Sequence, residues 1–190
     1  MTPAVTQPWR RRRWWILGAA VLVVVLLPVG CSMLGPGFEP AIDTPEMEAN
    51  ELKSHFVETA EGRLHFVVAG RALPAPARVL FVHGSPGTWD AWRGFLMDRE
   101  LRAAARLIAV DRVGFGGSER GRAEPSLERQ AVALAAVLES EPGPPAIVVG
   151  HSLGGPIAVR LAIDRPELVA GLLLSAPSID SRSTPGRVGA

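Results

Sequence analysis

After residue 77, compact apolar runs alternate with segments in which apolar residues recur at helical spacing. The apolar runs are 78–82, 106–110, 146–149 and 171–174, and the helical segments are 88–99, 126–139 and 153–164. This alternation is typical of an α/β domain with a mostly parallel sheet and helices on both faces. Ahead of these segments, β-type residues at 54–69, with Gly62 at the turn, predict a hairpin that extends one edge of the sheet.

The N-terminal pattern is different. Four consecutive arginines begin at Arg10, and an uncharged apolar run follows at 16–27. Residues 1–31 therefore resemble a signal or membrane anchor. Three interpretations stay open: a lipoprotein signal with Cys31 as the lipidated residue, an uncleaved anchor whose residues 14–31 contact the membrane, and a cleaved export signal.

The placement of charge predicts where the domain lies. Arginines ahead of an apolar segment favour the cytoplasmic side, so we expect a membrane-associated protein whose domain is extracytoplasmic, in the periplasm or at the cell surface. Residues 32–51 contain several prolines and glycines and predict a spacer before a domain at 52–190. The net charge is +1, and the basic cluster belongs to the leader, so no nucleic-acid partner is expected. The single cysteine excludes an internal disulfide.

The strongest chemical signal is Gly150-His151-Ser152-Leu153-Gly154, which lies between a predicted strand and a predicted helix. This G-x-S-x-G pattern is typical of a sharp turn that lifts a serine hydroxyl above the sheet, with glycines where a side chain would clash. Ser152 is therefore the candidate nucleophile. The backbone N–H of Leu153, at the start of the helix, is a candidate donor to a developing oxyanion. The alternative is a tight turn in which Ser152 only caps the helix.

A second loop, His83-Gly84-Ser85-Pro86-Gly87, follows the strand at 78–82. A rigid loop at this point is suited to presenting a backbone N–H, and we assign the second oxyanion donor to Ser85. His83 and Gly84 are expected to organise the loop. The alternative is an ordinary connection between strand and helix.

A third loop, from Asp111 to Ser118, contains glycines that permit a tight exit from the strand. We expect Asp111 to accept hydrogen bonds from the loop backbone, although a carboxylate here also suits a triad acid. Phe115, Trp89 and Leu153 are candidates to line an apolar acyl site, or else to serve only in packing.

Together these three loops, H-G-S-P-G, D-R-V-G-F-G-G-S and G-H-S-L-G-G, resemble the α/β-hydrolase superfamily, in its branch of esterases and proline iminopeptidases. The resemblance covers about residues 52–180 and implies that the strands are the first six of eight. It implies that Ser152 is the nucleophile, whereas dehalogenases and epoxide hydrolases carry aspartate at this position. No metal or organic cofactor is implied.

Two parts of that family's pattern have no counterpart in the sequence. The family order is nucleophile, acid and histidine, yet all four histidines precede Ser152. Asp180, after the sixth strand, is a candidate acid that only a minority of the family would place there. We therefore expect a domain truncated after about the sixth strand, with the triad histidine beyond residue 190. A serine without its base is a weak nucleophile, so the chain as written is expected to be nearly inactive.

The sequence thus predicts a membrane-tethered serine hydrolase that acts on an ester or similar acyl bond of a small molecule through an acyl-enzyme. Two alternatives stay open. One is a non-catalytic binding protein with a hydrolase fold, and the other is an acyltransferase that uses the same nucleophile.

Overall fold

The computed structural model describes residues 44–72, 75, 77–118 and 124–178. The predicted signal or anchor with Cys31, and the candidate acid Asp180, lie outside these ranges. Across the ranges that are described, no helix combines the length and the apolar character that crossing a bilayer would require.

Six strands and five α-helices form the described domain, together with two short 3-10 helices at Trp89–Trp92 and Pro166–Leu168. The strands are β1 Lys53–Thr59, β2 Gly62–Gly70, β3 Arg78–Val82, β4 Arg106–Val110, β5 Ala146–His151 and β6 Val169–Ser175. The helices are α1 Pro45–Ala49, α2 Arg93–Met97, α3 Arg99–Ala104, α4 Leu127–Ser140 and α5 Gly154–Asp164.

The strands form one sheet in the order β1-β2-β4-β3-β5-β6. The β1–β2 hairpin is antiparallel and joins β4 antiparallel, whereas β4, β3, β5 and β6 run parallel. This arrangement confirms the predicted α/β class and the hairpin at one edge. Because β3 and β5 are neighbours and parallel, the loops that follow them meet at the same edge of the sheet.

Two apolar cores cover the two faces of the sheet. One is built around α4 and α5 and includes Leu134, Leu138 and Ile157. The other lies under the segment between β3 and β4 and includes Trp89 and Leu96. Successive side chains of a central strand point alternately into the two cores, so such a strand is buried on both faces. This explains the continuous apolar runs in the sequence.

The prediction of one continuous helix at 88–99 is wrong. The segment is a 3-10 turn followed by α2, and a new helix, α3, begins at Arg99. Asp98 separates the two helices because its side chain accepts from the Leu101 N–H and so caps α3. Thr88, which the sequence suggested as the cap, makes no side-chain capping bond.

The segment 32–51 is not a spacer throughout. Helix α1 occupies Pro45–Ala49, and Thr44 caps it by accepting from the Met47 N–H at 3.2 Å. Met47 is buried in the same core as Trp89. Residues 44–51 therefore belong to the folded domain, because an apolar side chain anchors them to it.

Strand β6 is an exposed edge. Within the described chain it pairs only with β5, and its residues Leu172, Leu173 and Leu174 are all exposed. An apolar edge with unpaired backbone groups favours association with other strands.

Candidate active site

Ser152 lies in the turn between β5 and α5 and has a positive φ of 49°, a conformation that L-residues other than glycine rarely adopt. The turn is tight enough that a Cβ on Gly150 would come within 2.6 Å of the Gly154 carbonyl oxygen. A Cβ on Gly154 would come within 2.3 Å of the Val82 carbonyl oxygen. The two glycines of the pattern are thus required by close backbone approach, and the strained residue between them carries the hydroxyl.

The loop after β3 packs directly against this turn. A Cβ on Gly84 would lie 2.9 Å from the Cβ of Ser152 and 3.3 Å from the carbonyl oxygen of His151. Ser85, the next residue, is exposed. The structure therefore brings Ser85, Ser152 and Leu153 to one place at the carboxyl edge of the sheet.

The orientation of the Gly84–Ser85 peptide is fixed by two hydrogen bonds to its carbonyl oxygen. His83 Nδ1 donates to the Gly84 oxygen at 2.7 Å, and Arg112 Nη2 donates to it at 2.9 Å. In a planar trans peptide the N–H points opposite to the carbonyl. The Ser85 N–H therefore points away from the buried His83 and Arg112, and it donates to no acceptor among the described residues.

Leu153 supplies a second available donor. Its N–H donates to no described acceptor, whereas the N–H of Gly155 already donates to the Ser152 carbonyl at 3.0 Å. The first N–H groups of a helix have no partner within the helix and carry partial positive charge. Two backbone donors with the polarity needed to bind an oxyanion thus flank Ser152.

Arg112 holds the rest of this loop together although it is only 2% exposed. Its Nε donates to the His83 carbonyl at 3.0 Å, its Nη1 donates to Gln130 Oε1 at 2.7 Å, and its guanidinium lies 4.6 Å from the centre of the Phe115 ring. Burial lowers the pKa of Arg112 to about 10, so it is still a cation at neutral pH. Neutral oxygens and the face of an aromatic ring, and no carboxylate, stabilise the positive charge of the Arg112 guanidinium.

His83 is neutral and unsuited to act as the general base. The backbone N–H of Arg112 donates to His83 Nε2 at 3.0 Å, so this nitrogen carries no proton and Nδ1 does. Burial, and then the charge of Arg112, lower the pKa of His83 from 6.5 to about 4. Both ring nitrogens are occupied by bonds that organise the loop.

This buried histidine predicts a loss of stability in acid. Between pH 6.5 and about 4 the unfolded chain binds a proton at His83 and the folded chain does not. The contribution of neutral His83 to the free energy of unfolding is therefore complete above pH 6.5. It falls by roughly 3 kcal/mol as the pH drops to about 4. Urea unfolding across this range measures it. His83→Gln keeps a donor and an acceptor without titrating, and its stability should fall less; an equal fall in both proteins would contradict the assignment.

Asp111 organises the loop beyond β4. Its carboxylate is fully buried and accepts from the Trp89 N–H at 2.6 Å, from the Gly117 N–H at 2.8 Å and from His65 Nδ1 at 2.8 Å. The two backbone bonds are of the kind expected from the sequence, whereas the bond to His65 was not predicted, and together the three bonds leave the carboxylate no role as a triad acid. Trp89 does not line an acyl site, because it is fully buried in the core. Phe115 and Leu153 are half-buried, and the Phe115 ring packs edge-on against His83 in the loop after β3.

Ser178 is a neighbour of the candidate nucleophile that the sequence did not indicate. Its Oγ lies 3.1 Å from Ser152 Oγ, and its N–H donates to the Ser152 carbonyl at 3.0 Å. It follows β6, the strand beside β5, and the shared edge of parallel strands is the one signal that suggests it.

All four histidines lie in the described ranges, and none hydrogen-bonds Ser152 Oγ. The exposed ring of His151 is 3.1 Å from the Ser175 carbonyl. His65 is buried against Asp111, and His55 stacks on Phe66. In the described structure, no histidine is therefore placed to accept a proton directly from the Ser152 hydroxyl.

Comparison with known proteins identifies the family. A profile of the α/β hydrolase fold matches residues 77–188, which is more than half of the chain. The chain belongs to the α/β-hydrolase superfamily. This membership confirms the resemblance carried by the three loops.

The hydrolase chain is similar to proteins of more than one activity. Lipase LipV from Mycobacterium tuberculosis is 37% identical over 104 residues, which are 55% of this chain and 38% of the lipase. Epoxide hydrolase 4 from Mus musculus is 31% identical over 115 residues, which are 59% of this chain and 31% of that protein. The crystal structure of Cfl2 from Burkholderia cenocepacia gives a TM-score of 0.62 at 28% identity, and the match covers 73% of this chain and 46% of that one. The chain spans less than half the length of each.

Proposed function

We propose that this α/β-hydrolase uses Ser152 as the nucleophile in hydrolysis of an ester or similar acyl bond of a small molecule. Ser152 Oγ attacks the acyl carbonyl carbon, the N–H groups of Ser85 and Leu153 bind the resulting oxyanion, and loss of the alcohol leaves an acyl-enzyme. Water then adds to the acyl carbon and releases the acid. The pattern of residues 1–31 supports a domain that acts beside a membrane.

The observation that carries this proposal is the pair of unoccupied backbone donors beside a strained, half-buried serine. A hydroxyl at a helix start would be satisfied as a simple cap if it bonded N–H groups of its own helix. Ser152 Oγ instead contacts the Ser178 hydroxyl, which is exposed and displaceable. The N–H groups at 85 and 153 are thereby left for a ligand.

An acceptor for the serine proton is required as well. None of the four histidines hydrogen-bonds Ser152 Oγ, so attack by the described chain relies on water or on the Ser178 hydroxyl to pass the proton to solvent. Loss of the base in a triad enzyme costs about a million-fold in turnover. We therefore expect a single slow acylation with a reactive probe to be measurable where turnover of an ordinary ester is not.

A fluorophosphonate probe followed by peptide mass spectrometry tests the proposal. We expect the label on Ser152, with fluoride as the leaving group, because the phosphonyl oxygen carries partial negative charge and can accept from the N–H groups of Ser85 and Leu153. Ser178→Ala should still label because water can accept the serine proton, whereas Ser152→Ala should not. Labelling of Ser152→Ala at the rate of the parent protein would contradict the proposal.

The absence of a histidine contact at Ser152 favours one other function, a non-catalytic protein that binds a ligand at this site. This binding function predicts a different result in the fluorophosphonate experiment. The protein would bind an ester or its acid reversibly and would acquire no covalent label.

A further inference from the structure

An open cavity of about 640 Å³ lies at the opposite end of the sheet from Ser152. It is bordered by Gly70, the last residue of β2, which pairs with Arg106 at the start of β4. Ser152 follows the carboxyl end of the parallel strand β5, so the two sites lie at opposite edges. The walls of the cavity come from α1, α3 and the residues next to them.

Three arginines line this cavity, Arg71, Arg99 and Arg102, against one carboxylate, Glu51. Arg71 and Arg99 are exposed and pair with no carboxylate among the described residues. The other solvent-accessible arginines that the structure describes each pair with an acidic residue: Arg63, Arg93, Arg106, Arg129, Arg160 and Arg165. Two of the exposed arginines without an ion pair in the described structure therefore lie together at this cavity.

Arg102 has one donor that lacks an acceptor. Its Nη2 donates to Glu51 at 2.5 Å, but its Nε is buried and has no partner in the described structure. Because Nε is closed to solvent, Arg102 contributes positive charge to the cavity and not a donor that a ligand reaches at this atom. Arg71 is held in place by Nη1, which donates to the Ala103 carbonyl at 3.4 Å.

We propose that the cavity formed by Arg71, Arg99 and Arg102 is a binding site for a phosphoryl group. Guanidinium groups present planar pairs of N–H donors that match phosphate oxygens, and three of them neutralise a group with two negative charges. The phosphoryl oxygens would accept from the exposed guanidinium groups of Arg71 and Arg99, and Arg102 would add positive charge at the wall of the cavity. The site lies apart from Ser152 and does not depend on the function proposed for that residue.

The phosphoryl group has two possible sources, a soluble phosphate and the headgroup of an anionic lipid. Helix α1, which contributes Ala49 to the wall, follows the N-terminal segment whose pattern predicts a membrane anchor. The sequence pattern of residues 1–31 is the reason to test a lipid headgroup as well as a soluble phosphate.

Titration of the full chain with inorganic phosphate at constant ionic strength, followed by calorimetry, tests the site. We expect saturable binding that weakens by about tenfold or more in Arg71→Gln/Arg99→Gln, because each substitution removes charged donors. The matched control is Arg160→Gln, which removes an arginine already paired with Asp164 and should bind like the parent.

Co-sedimentation with vesicles of phosphatidylcholine, with and without phosphatidylglycerol, distinguishes the two sources. An anchor contributes equally to the parent and the double variant, so their difference reports the cavity alone. A loss of binding to phosphatidylglycerol vesicles in the double variant identifies a headgroup, and phosphate binding with no such difference identifies a soluble ligand. Equal behaviour of parent and double variant towards both probes would overturn the proposal.

Discussion

Gly154→Ala is expected to destabilise the domain by about 3 kcal/mol or more, because there is no room for a methyl group at this position. The added Cβ would lie 2.3 Å from the Val82 carbonyl oxygen and 2.8 Å from that of His83. Both atoms are backbone, one at the end of β3 and one at the start of the loop that carries Ser85. Relief would require α5 to retreat from the sheet, which would displace Ser152.

Gly94→Ala is the matched control. Gly94 lies within α2, and a Cβ there would meet nothing within 4 Å. Alanine in a helix is more stable than glycine by about 0.5–1 kcal/mol, so this variant should be neutral or slightly stabilised. Urea unfolding of both variants measures the difference. If Gly154→Ala were as stable as Gly94→Ala, the close contact between α5 and β3 would be wrong.

Arg112→Met is expected to cost about 3 kcal/mol and to slow labelling of Ser152. Methionine fills much of the same space but removes the donors to the carbonyls of His83 and Gly84 and to Gln130. Each buried oxygen left without a partner costs about 1–3 kcal/mol, offset in part by no longer burying a charge. The stability change is measured by urea unfolding.

The effect of Arg112→Met on labelling follows from the Gly84–Ser85 peptide. Without Arg112, its carbonyl is held by His83 alone, and the Ser85 N–H is less firmly directed. Losing one oxyanion donor outright costs about 100–1,000-fold in rate, so a loosened donor should cost about tenfold or more. Arg160→Met, on the surface of α5, should change neither quantity. An unchanged labelling rate in folded Arg112→Met would show that the arginine does not position the donor.

The local geometry at Ser152 was predictable because a single short segment determines it. The strand, the turn and the helix are contiguous in sequence, and the glycines at 150 and 154 mark where backbones approach. The parallel sheet was predictable for a similar reason, since strands buried on both faces contain uninterrupted apolar residues.

Features that depend on contacts between distant segments were not predictable. Ser178 reaches Ser152 only because β6 lies beside β5, and no local pattern identifies it. Arg112 resembles a surface residue in sequence, yet it is buried because the oxygens of two loops surround it. Trp89 was misplaced because an aromatic residue after a candidate site loop is equally suited to the site and to the core. The break at Asp98 reflects a competition between helix continuation and a side-chain cap that the cap wins.

The crystal structure of the fluorophosphonate adduct tests the central claim most directly. We predict a covalent bond from Ser152 Oγ to phosphorus, with the phosphonyl oxygen accepting from the N–H groups of both Ser85 and Leu153 at about 2.7–3.1 Å. A phosphonyl oxygen turned towards solvent, or a label carried by Ser178, would contradict the account.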